Sequence, residues 1–215
     1  MASLSQSLSG TDALIIVDVQ NDFCPGGAIP VPNGDEVVPK INELMNLFDH
    51  IALSQDWHPD GHLSFASSHE GRNPLDVVQM SYGEQILWPD HAVVGTKGAE
   101  FHPELATDKA HAVIRKGYRK EIDSYSTFFE NDRTTPTGLS GFLDRCGVKR
   151  LFLTGLAIEY CVGFSALDAV TEGFEAYLVQ DAVGSFRNED SEPMRNRLAN
   201  AGVRTIQSSE LQSDG

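Results

Sequence analysis

The sequence is poor in basic residues and in long apolar runs, and each shortage excludes a class of protein. It has 16 lysines and arginines against 31 aspartates and glutamates, for a formal net charge of −15. Such a surface repels nucleic-acid phosphates and anionic lipid headgroups, so we expect neither as a partner. No apolar run approaches the length that crosses a bilayer.

Cysteine is also scarce, with three residues far apart at Cys24, Cys146 and Cys161. Their odd number and wide spacing favour reduced thiols in a cytoplasmic protein over a disulfide framework. Residues 1–10 are polar and serine-rich, without the charged start and apolar stretch of a signal peptide, so they predict a flexible tail. We expect residues 11–215 to form a single domain.

Six short apolar runs rich in Val, Ile and Leu lie at 13–17, 51–53, 112–114, 151–153, 176–179 and 203–206. They lack clean alternation, which is typical of strands buried on both faces of a parallel sheet. Segments with helical periodicity lie between several of these apolar runs, at 37–48, at 139–146 and directly after Cys161. A fourth helix is predicted after Ser191, which could cap it. The pattern predicts a doubly wound, Rossmann-like α/β fold: a six-stranded parallel sheet with helices on both faces.

Residues 54–111 break this alternation. They contain both tryptophans, six of the seven histidines and little periodicity. A long irregular insertion in a compact domain is usually functional or disordered, and the concentration of histidine favours function.

Reactive side chains follow four of the predicted strands. Asp18 follows the first, Asp56 and His58 the second, Lys116 the third, and Cys161 ends a glycine-led turn after the fourth. Ligands of open α/β sheets bind at the carboxyl ends of the strands, so we expect these groups on one rim. A carboxylate, an ammonium and a thiol there are the parts of an amide-cleaving cysteine enzyme.

Each of these residues also has an ordinary interpretation. Alone, Asp18 would indicate a turn cap, Lys116 a solvated charge and Cys161 a small buried apolar residue. Their joint occurrence at strand ends favours catalysis. The helix start behind Cys161, with a nearby cation, is expected to lower the pKa of its thiol.

A second group suggests a metal site. Asp56 and His58 are two residues apart on an extended segment, so their side chains point to the same side, and a distant histidine such as His91 can complete the set. Imidazole with carboxylate suits Zn²⁺, Fe²⁺ or Mn²⁺. The alternative is that His58 and His62 are hydrogen-bonding loop residues.

A third group consists of aromatic residues. Phe23, Trp88 and Tyr125 could form the walls of a flat pocket for a ring, although each alone would indicate ordinary packing.

Several segments together resemble the nicotinamidase branch of the isochorismatase-like cysteine hydrolases. They are VDVQNDFCPGG at 17–27, SQDWHP at 54–59, WPDH at 88–91, RKG at 115–117, DSYS at 123–126 and GLAIEYCV at 155–162. The resemblance implies a metal-containing amidohydrolase that converts nicotinamide to nicotinate and ammonia through a thioester intermediate. It also implies activity on pyrazinamide and a role in NAD salvage.

The resemblance also implies a role for each residue that matches a functional position of the family. It implies that Asp18, Lys116 and Cys161 form the catalytic triad, and that the N–H groups of Ala157 and Cys161 form an oxyanion hole beside a cis peptide before Ala157. It further implies the following roles: metal ligands Asp56, His58 and His91, and contacts to the substrate ring from Phe23, Trp88 and Tyr125. One divalent ion is implied, Zn²⁺ ahead of Fe²⁺ or Mn²⁺, with His62 or water completing its shell. A homo-oligomer is compatible with the family.

Three alternative functions are considered. A related cysteine hydrolase could act on another small amide or N-carbamoyl compound. An isochorismatase uses no catalytic cysteine of this kind, so Cys161 argues against it. A non-catalytic metal- or ligand-binding α/β module would leave Asp18 and Lys116 unexplained.

Overall fold

The fold is built on one six-stranded sheet. The computed structural model describes residues 6–213, and of residues 188–190 and 213 only the backbone. Its strands are β1 (Gln6–Leu8), β2 (Asp12–Val17), β3 (His50–Asp56), β4 (Val77–Met80), β5 (Gly83–Ile86), β6 (Ala112–Lys116), β7 (Arg150–Gly155), β8 (Glu175–Val183), β9 (Arg204–Ile206) and β10 (Leu211–Ser213). Its α-helices are α1 (Val37–Leu44), α2 (Leu139–Arg145), α3 (Cys161–Thr171) and α4 (Asn188–Ala201).

The central sheet has the order β6-β3-β2-β7-β8-β9, and all of its pairs are parallel. Strand β2 is buried on both faces, since Leu14 and Ile16 belong to one apolar core and Ala13, Ile15 and Val17 to the other. All six predicted strands are present, and the prediction of a six-stranded parallel sheet is confirmed.

Helices cover both faces of this sheet. Helix α1 packs through Val38 and Ile41 into the first core, whereas α2, α3 and α4 reach the second core through Leu143, Ala166 and Leu198. The doubly wound arrangement is therefore confirmed. Between residues 6 and 213, no helix combines the length and the apolar character that crossing a membrane requires.

The expectation of a flexible tail over residues 1–10 is wrong for Gln6–Leu8. These residues form β1, which pairs in parallel with β10 near the other end of the chain. Leu8 and Leu211 are both buried in the first core, and their burial explains why a polar segment becomes ordered. Residues 1–5 lie outside the described part of the chain.

Two further features differ from the expectation: a hairpin in the insertion and the start of the last helix. The 54–111 insertion contains an antiparallel hairpin, β4–β5, which the low periodicity of the segment did not predict. Helix α4 begins at Asn188 instead of being capped by Ser191, because the Ser191 N–H donates to the carbonyl of Arg187 and closes an earlier turn.

Candidate active site

The parallel strands bring the predicted reactive residues to one rim. Strands β6, β3, β2 and β7 are consecutive neighbours, with Asp56 opposite Lys116 and Val17 opposite Gly155. Asp18 therefore follows the end of β2 beside the turn that leads out of β7. The side chains of Asp18, Asp56 and Lys116 are buried, and Cys161 is partly buried.

The turn from β7 to α3 places the sulfur. Gly155 has φ +106°, and a Cβ atom there would lie 2.1 Å from the Val17 carbonyl oxygen, so only glycine fits. The peptide between Leu156 and Ala157 is cis, as the resemblance implied. Cys161 begins α3, so its N–H has no acceptor within the helix and lies where a dipole favours negative charge.

Lys116 joins the reactive groups. Its Nζ lies 2.9 Å from Asp18 Oδ2, 3.0 Å from Asp56 Oδ1 and 3.5 Å from Cys161 Sγ. It also donates to the Ser124 carbonyl at 2.7 Å. Burial alone would lower the pKa of Lys116, but the carboxylates of Asp18 and Asp56 raise it well above its ordinary value, so the amine is charged.

Burial shifts the pKa of both Asp18 and Cys161 upward. The Ser54 hydroxyl donates to Asp18 Oδ1 at 2.6 Å. Burial raises the pKa of Asp18, and the Lys116 ammonium opposes this shift. Burial also raises the pKa of the Cys161 thiol well above its ordinary value, and Lys116 offsets this only in part. The expected lowering is therefore wrong, because desolvation outweighs the cation.

The three predicted metal ligands lie together. One ligand atom from each of Asp56, His58 and His91 falls within 4.8 Å of the others. Asp56 Oδ2 lies 3.1 Å from His58 Nε2 and 3.4 Å from His91 Nε2. Burial acts to raise the pKa of Asp56, but His58 and Lys116 lower it well below its usual range, so the carboxylate is ionised.

The hydrogen bonds behind this cluster fit a metal ion. His58 Nδ1 donates to the Gly117 carbonyl at 2.8 Å, and His91 Nδ1 donates to the Pro89 carbonyl at 2.8 Å. A carbonyl can only accept, so each Nδ1 carries a proton and each Nε2 faces the cluster, as in metal-binding histidines. A Cβ atom on Gly117, at φ +65°, would lie 2.5 Å from the His58 ring, so this close approach requires glycine.

Both ring nitrogens of His62 have hydrogen-bond partners outside the metal cluster. Its Nδ1 lies 2.7 Å from the Ser64 hydroxyl, and its Nε2 lies 2.8 Å from the Arg119 carbonyl. Both ring nitrogens are thus occupied away from the cluster. The ring itself packs against His58 at 4.4 Å between centroids.

A pocket opens above the sulfur. Its lining includes Cys161, Ala157 and the predicted aromatic residues Phe23, Trp88 and Tyr125. Asp56 and His91 also line it, so the sulfur and the metal cluster face one space.

The aromatic wall is held by contacts among its own members. Trp88 Nε1 donates to the Tyr125 hydroxyl at 3.1 Å. The Tyr160 ring meets Trp88 edge-on at 4.9 Å and lies 5.5 Å from Tyr125. Burial and the Asp123 carboxylate raise the pKa of Tyr125 well above its ordinary value, so its hydroxyl remains protonated.

Several lining residues were not predicted, among them Asp123, Tyr160 and Phe186. Tyr160 directly precedes Cys161, and Asp123 opens the DSYS segment, so sequence proximity to predicted residues was an available signal for both. Asp123 Oδ1 lies 3.8 Å from His58 Nε2, which adds a second carboxylate beside the cluster. Phe186 comes from beyond β8 and had no such signal.

Known proteins match this chain over almost its whole length. The isochorismatase domain family matches residues 12–210. The nicotinamidase of Acinetobacter baylyi is 47% identical over 182 residues, which cover 85% of this chain and 85% of that protein.

Two solved structures extend the comparison. PnC1 from L. infantum, in complex with nicotinate, has a TM-score of 0.87 and 37% identity, covering 98% of this chain and 100% of its own. The pyrazinamidase of Pyrococcus horikoshii, in complex with zinc, has a TM-score of 0.76 and 38% identity, covering 92% of this chain and 99% of its own. The fold is thus shared over nearly the full length of each chain.

Proposed function

This chain belongs to the isochorismatase domain family, and from that premise we propose that it is a nicotinamidase. It hydrolyses nicotinamide to nicotinate and ammonia and also accepts pyrazinamide. The observation that carries the proposal is the Lys116 ammonium, which lies within 3.5 Å of Asp18, Asp56 and Cys161 beneath an aromatic pocket. The named relatives, one a nicotinamidase and one bound to nicotinate, support this substrate.

Cys161 acts as the nucleophile and Asp18 as its base. The raised pKa of Cys161 keeps the resting sulfur protonated, so the proton must leave as the sulfur attacks. Ser54 occupies Asp18 Oδ1, whereas Oδ2 faces Lys116 and accepts no other hydrogen bond among the described residues. Oδ2 therefore accepts the thiol proton, and its raised pKa makes it a stronger base.

The reaction proceeds in two halves. The Cys161 sulfur bonds to the carboxamide carbon while its proton passes to Asp18, and the N–H groups of Ala157 and Cys161 stabilise the oxyanion. The C–N bond then breaks, Asp18 returns the proton to the nitrogen, and ammonia leaves a thioester. Water adds to the thioester with Asp18 as base, which releases nicotinate and restores the thiol. The sum is amide plus water giving acid plus ammonia.

Asp56, His58 and His91 would hold one divalent cation. Two imidazole nitrogens and a carboxylate oxygen suit Zn²⁺, with Fe²⁺ and Mn²⁺ as alternatives, and the zinc-bound relative supports Zn²⁺. When bound, the cation supplies a Lewis acid for the ring nitrogen of the substrate. Phe23, Trp88 and Tyr125 contact the ring and orient the carboxamide toward the sulfur.

The remaining proposals concern context. Residues 11–215 act as a single domain, in keeping with the family match, and the protein works in the cytoplasm as part of NAD salvage. All three cysteines are free thiols, which supports a reducing compartment. The strongly acidic surface argues against nucleic-acid or membrane partners. A homo-oligomer is compatible with the proposal.

Ammonia release tests the function directly. We expect release from nicotinamide and pyrazinamide, little from aliphatic amides, and loss after treatment with a chelator. Cys161→Ala should lower turnover by about 10³-fold or more, because the nucleophile is gone. Cys146→Ala is the matched control, since that thiol lies away from the pocket lining, and it should retain full activity.

Two results would count against the proposal. Wild-type turnover in Cys161→Ala would remove the mechanism. Release from N-carbamoyl compounds or aliphatic amides, with nicotinamide untouched, would indicate the related cysteine hydrolase considered above.

A further inference from the structure

An aspartate outside the metal cluster is bonded to the backbone that carries one of the ligands. Asp22 lies in the loop after β2, and its Oδ2 accepts the Ala92 N–H at 2.7 Å. Its Oδ1 accepts the Ala28 N–H at 3.1 Å. Phe23, the next residue, meets the His91 ring edge-on at 5.6 Å between centroids. The loop thus approaches His91 from two sides.

Ala92 links the two histidines of the cluster. It directly follows His91, and its carbonyl accepts the His58 N–H at 3.0 Å. Ala92 has φ +47°, in the left-handed region, which a residue other than glycine adopts only where its surroundings hold it there. The bond to Asp22 is one such restraint. The conformation of Ala92 therefore affects the backbone of both His58 and His91.

Neighbouring glycines leave room for Asp22. A Cβ atom on Gly98 would lie 2.0 Å from Asp22 Oδ2, and one on Gly27 would lie 2.4 Å from Asp22 Cα. Gly98 therefore leaves the space that this side chain fills, and Gly27 leaves the space for the backbone of Asp22. Packing of this kind fixes the carboxylate as well as the loop.

We propose that Asp22 is a positioning residue for the metal site, which holds Ala92 in its left-handed conformation and so presets His58 and His91 for one divalent cation. The inference depends on the proposed function only in that the reaction uses this site. Groups behind metal ligands commonly set metal affinity through orientation, and here the orientation passes through a backbone amide.

Zinc affinity provides the test. Wild-type protein and variants are stripped of metal, and the Kd for Zn²⁺ is measured by competition with a chromophoric chelator. Asp22→Ala should bind Zn²⁺ about tenfold or more weakly. Asp22→Asn should show a smaller loss, because one amide oxygen replaces two acceptors. Asp35→Ala is the matched control: Asp35 is exposed and lines one surface cavity together with Asp22, and its loss should leave the affinity unchanged.

The outcomes separate this role from a general effect on folding. Thermal unfolding of the metal-free proteins is measured alongside, and a lower Tm with an unchanged Zn²⁺ affinity in Asp22→Ala would overturn the inference. If that variant does not fold, wild-type affinity in Asp22→Asn would overturn it equally. With excess Zn²⁺, kcat of Asp22→Ala on nicotinamide should return toward the wild-type value. Absence of ammonia release by the wild-type protein would defeat the proposed function, while the Zn²⁺ affinities would still decide the role of Asp22.

Discussion

At the scale of single residues, burial dominates the chemistry of two of the three thiols. Cys24 and Cys161 both have a raised pKa because desolvation disfavours the thiolate. The Asp35 carboxylate adds to the shift at Cys24, whereas Cys161 has the Lys116 cation nearby and Asp18 as a proton acceptor. We therefore propose that the buried sulfur of Cys161 acts as a nucleophile through its partners and not through a lowered pKa of its own.

Cys24 should show this effect in its reaction with iodoacetamide. Its pKa is raised to about 11, so about one thiol in a thousand is ionised at pH 8. In the folded protein the labelling rate should still be rising at about pH 11, because only half of the thiol is ionised there. In urea half of the thiol should be ionised already at about pH 8.5, and the rate should level off within about two pH units above that value. Mass spectrometry of the labelled peptide gives both profiles, and identical profiles would contradict the prediction.

The identities of the reactive residues were predictable, but their surroundings were not. Asp18 and Lys116 each follow an apolar run, and the rule for strand ends in parallel sheets places them together. Nothing in the sequence indicates that Lys116 would be fully buried and shared between two carboxylates. The pKa of Cys161 was mispredicted for the same reason, because the extent of desolvation depends on packing by distant segments.

At the scale of elements, the turn from β7 to α3 requires a close approach of two chain segments. The backbone of Gly155 packs against Val17 at the end of the neighbouring strand. The same turn starts α3 at Cys161, so any displacement of it moves the sulfur relative to Asp18. Stability and activity should therefore respond together to changes in this turn.

Gly155→Ala should lower the free energy of unfolding by about 2–3 kcal/mol, from backbone strain and the contact with Val17. Ammonia release should fall as well. Gly173→Ala separates the two causes: Gly173 has φ +91°, and a Cβ atom added there would meet nothing within 4 Å, so the substitution should cost only about 1 kcal/mol. Urea unfolding measures both variants, and equal losses would show that the contact with Val17 is unimportant.

Elements were predictable where they are buried and periodic. The six central strands follow from apolar runs because a strand covered on both faces must be apolar throughout. Strands β1 and β10 are three residues each, and their pairing joins residues about 200 positions apart, which local patterns do not encode. The β4–β5 hairpin was not predicted for a related reason: each strand has only four residues, and none of the four residues of β4 is buried.

At the scale of the whole molecule, three strands meet at one ammonium. Lys116 ends β6, Asp56 ends β3, and Asp18 follows β2, so the ion pairs tie together half of the central sheet at its carboxyl rim. The same ammonium contacts Cys161 and Asp18, the proposed nucleophile and base, and also Asp56 of the metal cluster. Removing it should therefore affect the stability of the fold and the chemistry at once.

Lys116→Met should lower the free energy of unfolding by about 3–5 kcal/mol, because it leaves two buried carboxylates without their cation. Ammonia release should be lost in the same variant, since Asp18 would no longer be held beside the sulfur by an opposite charge. Lys120→Met is the matched control: that side chain is exposed, and its loss should change stability by no more than about 0.5 kcal/mol.

Adding Asp18→Asn to Lys116→Met should recover part of the stability but none of the activity, because it removes one unpaired charge together with the base. Urea unfolding and the ammonia assay measure all three, and a Lys116→Met protein as stable as the wild type would show that the buried cation does not hold the rim together.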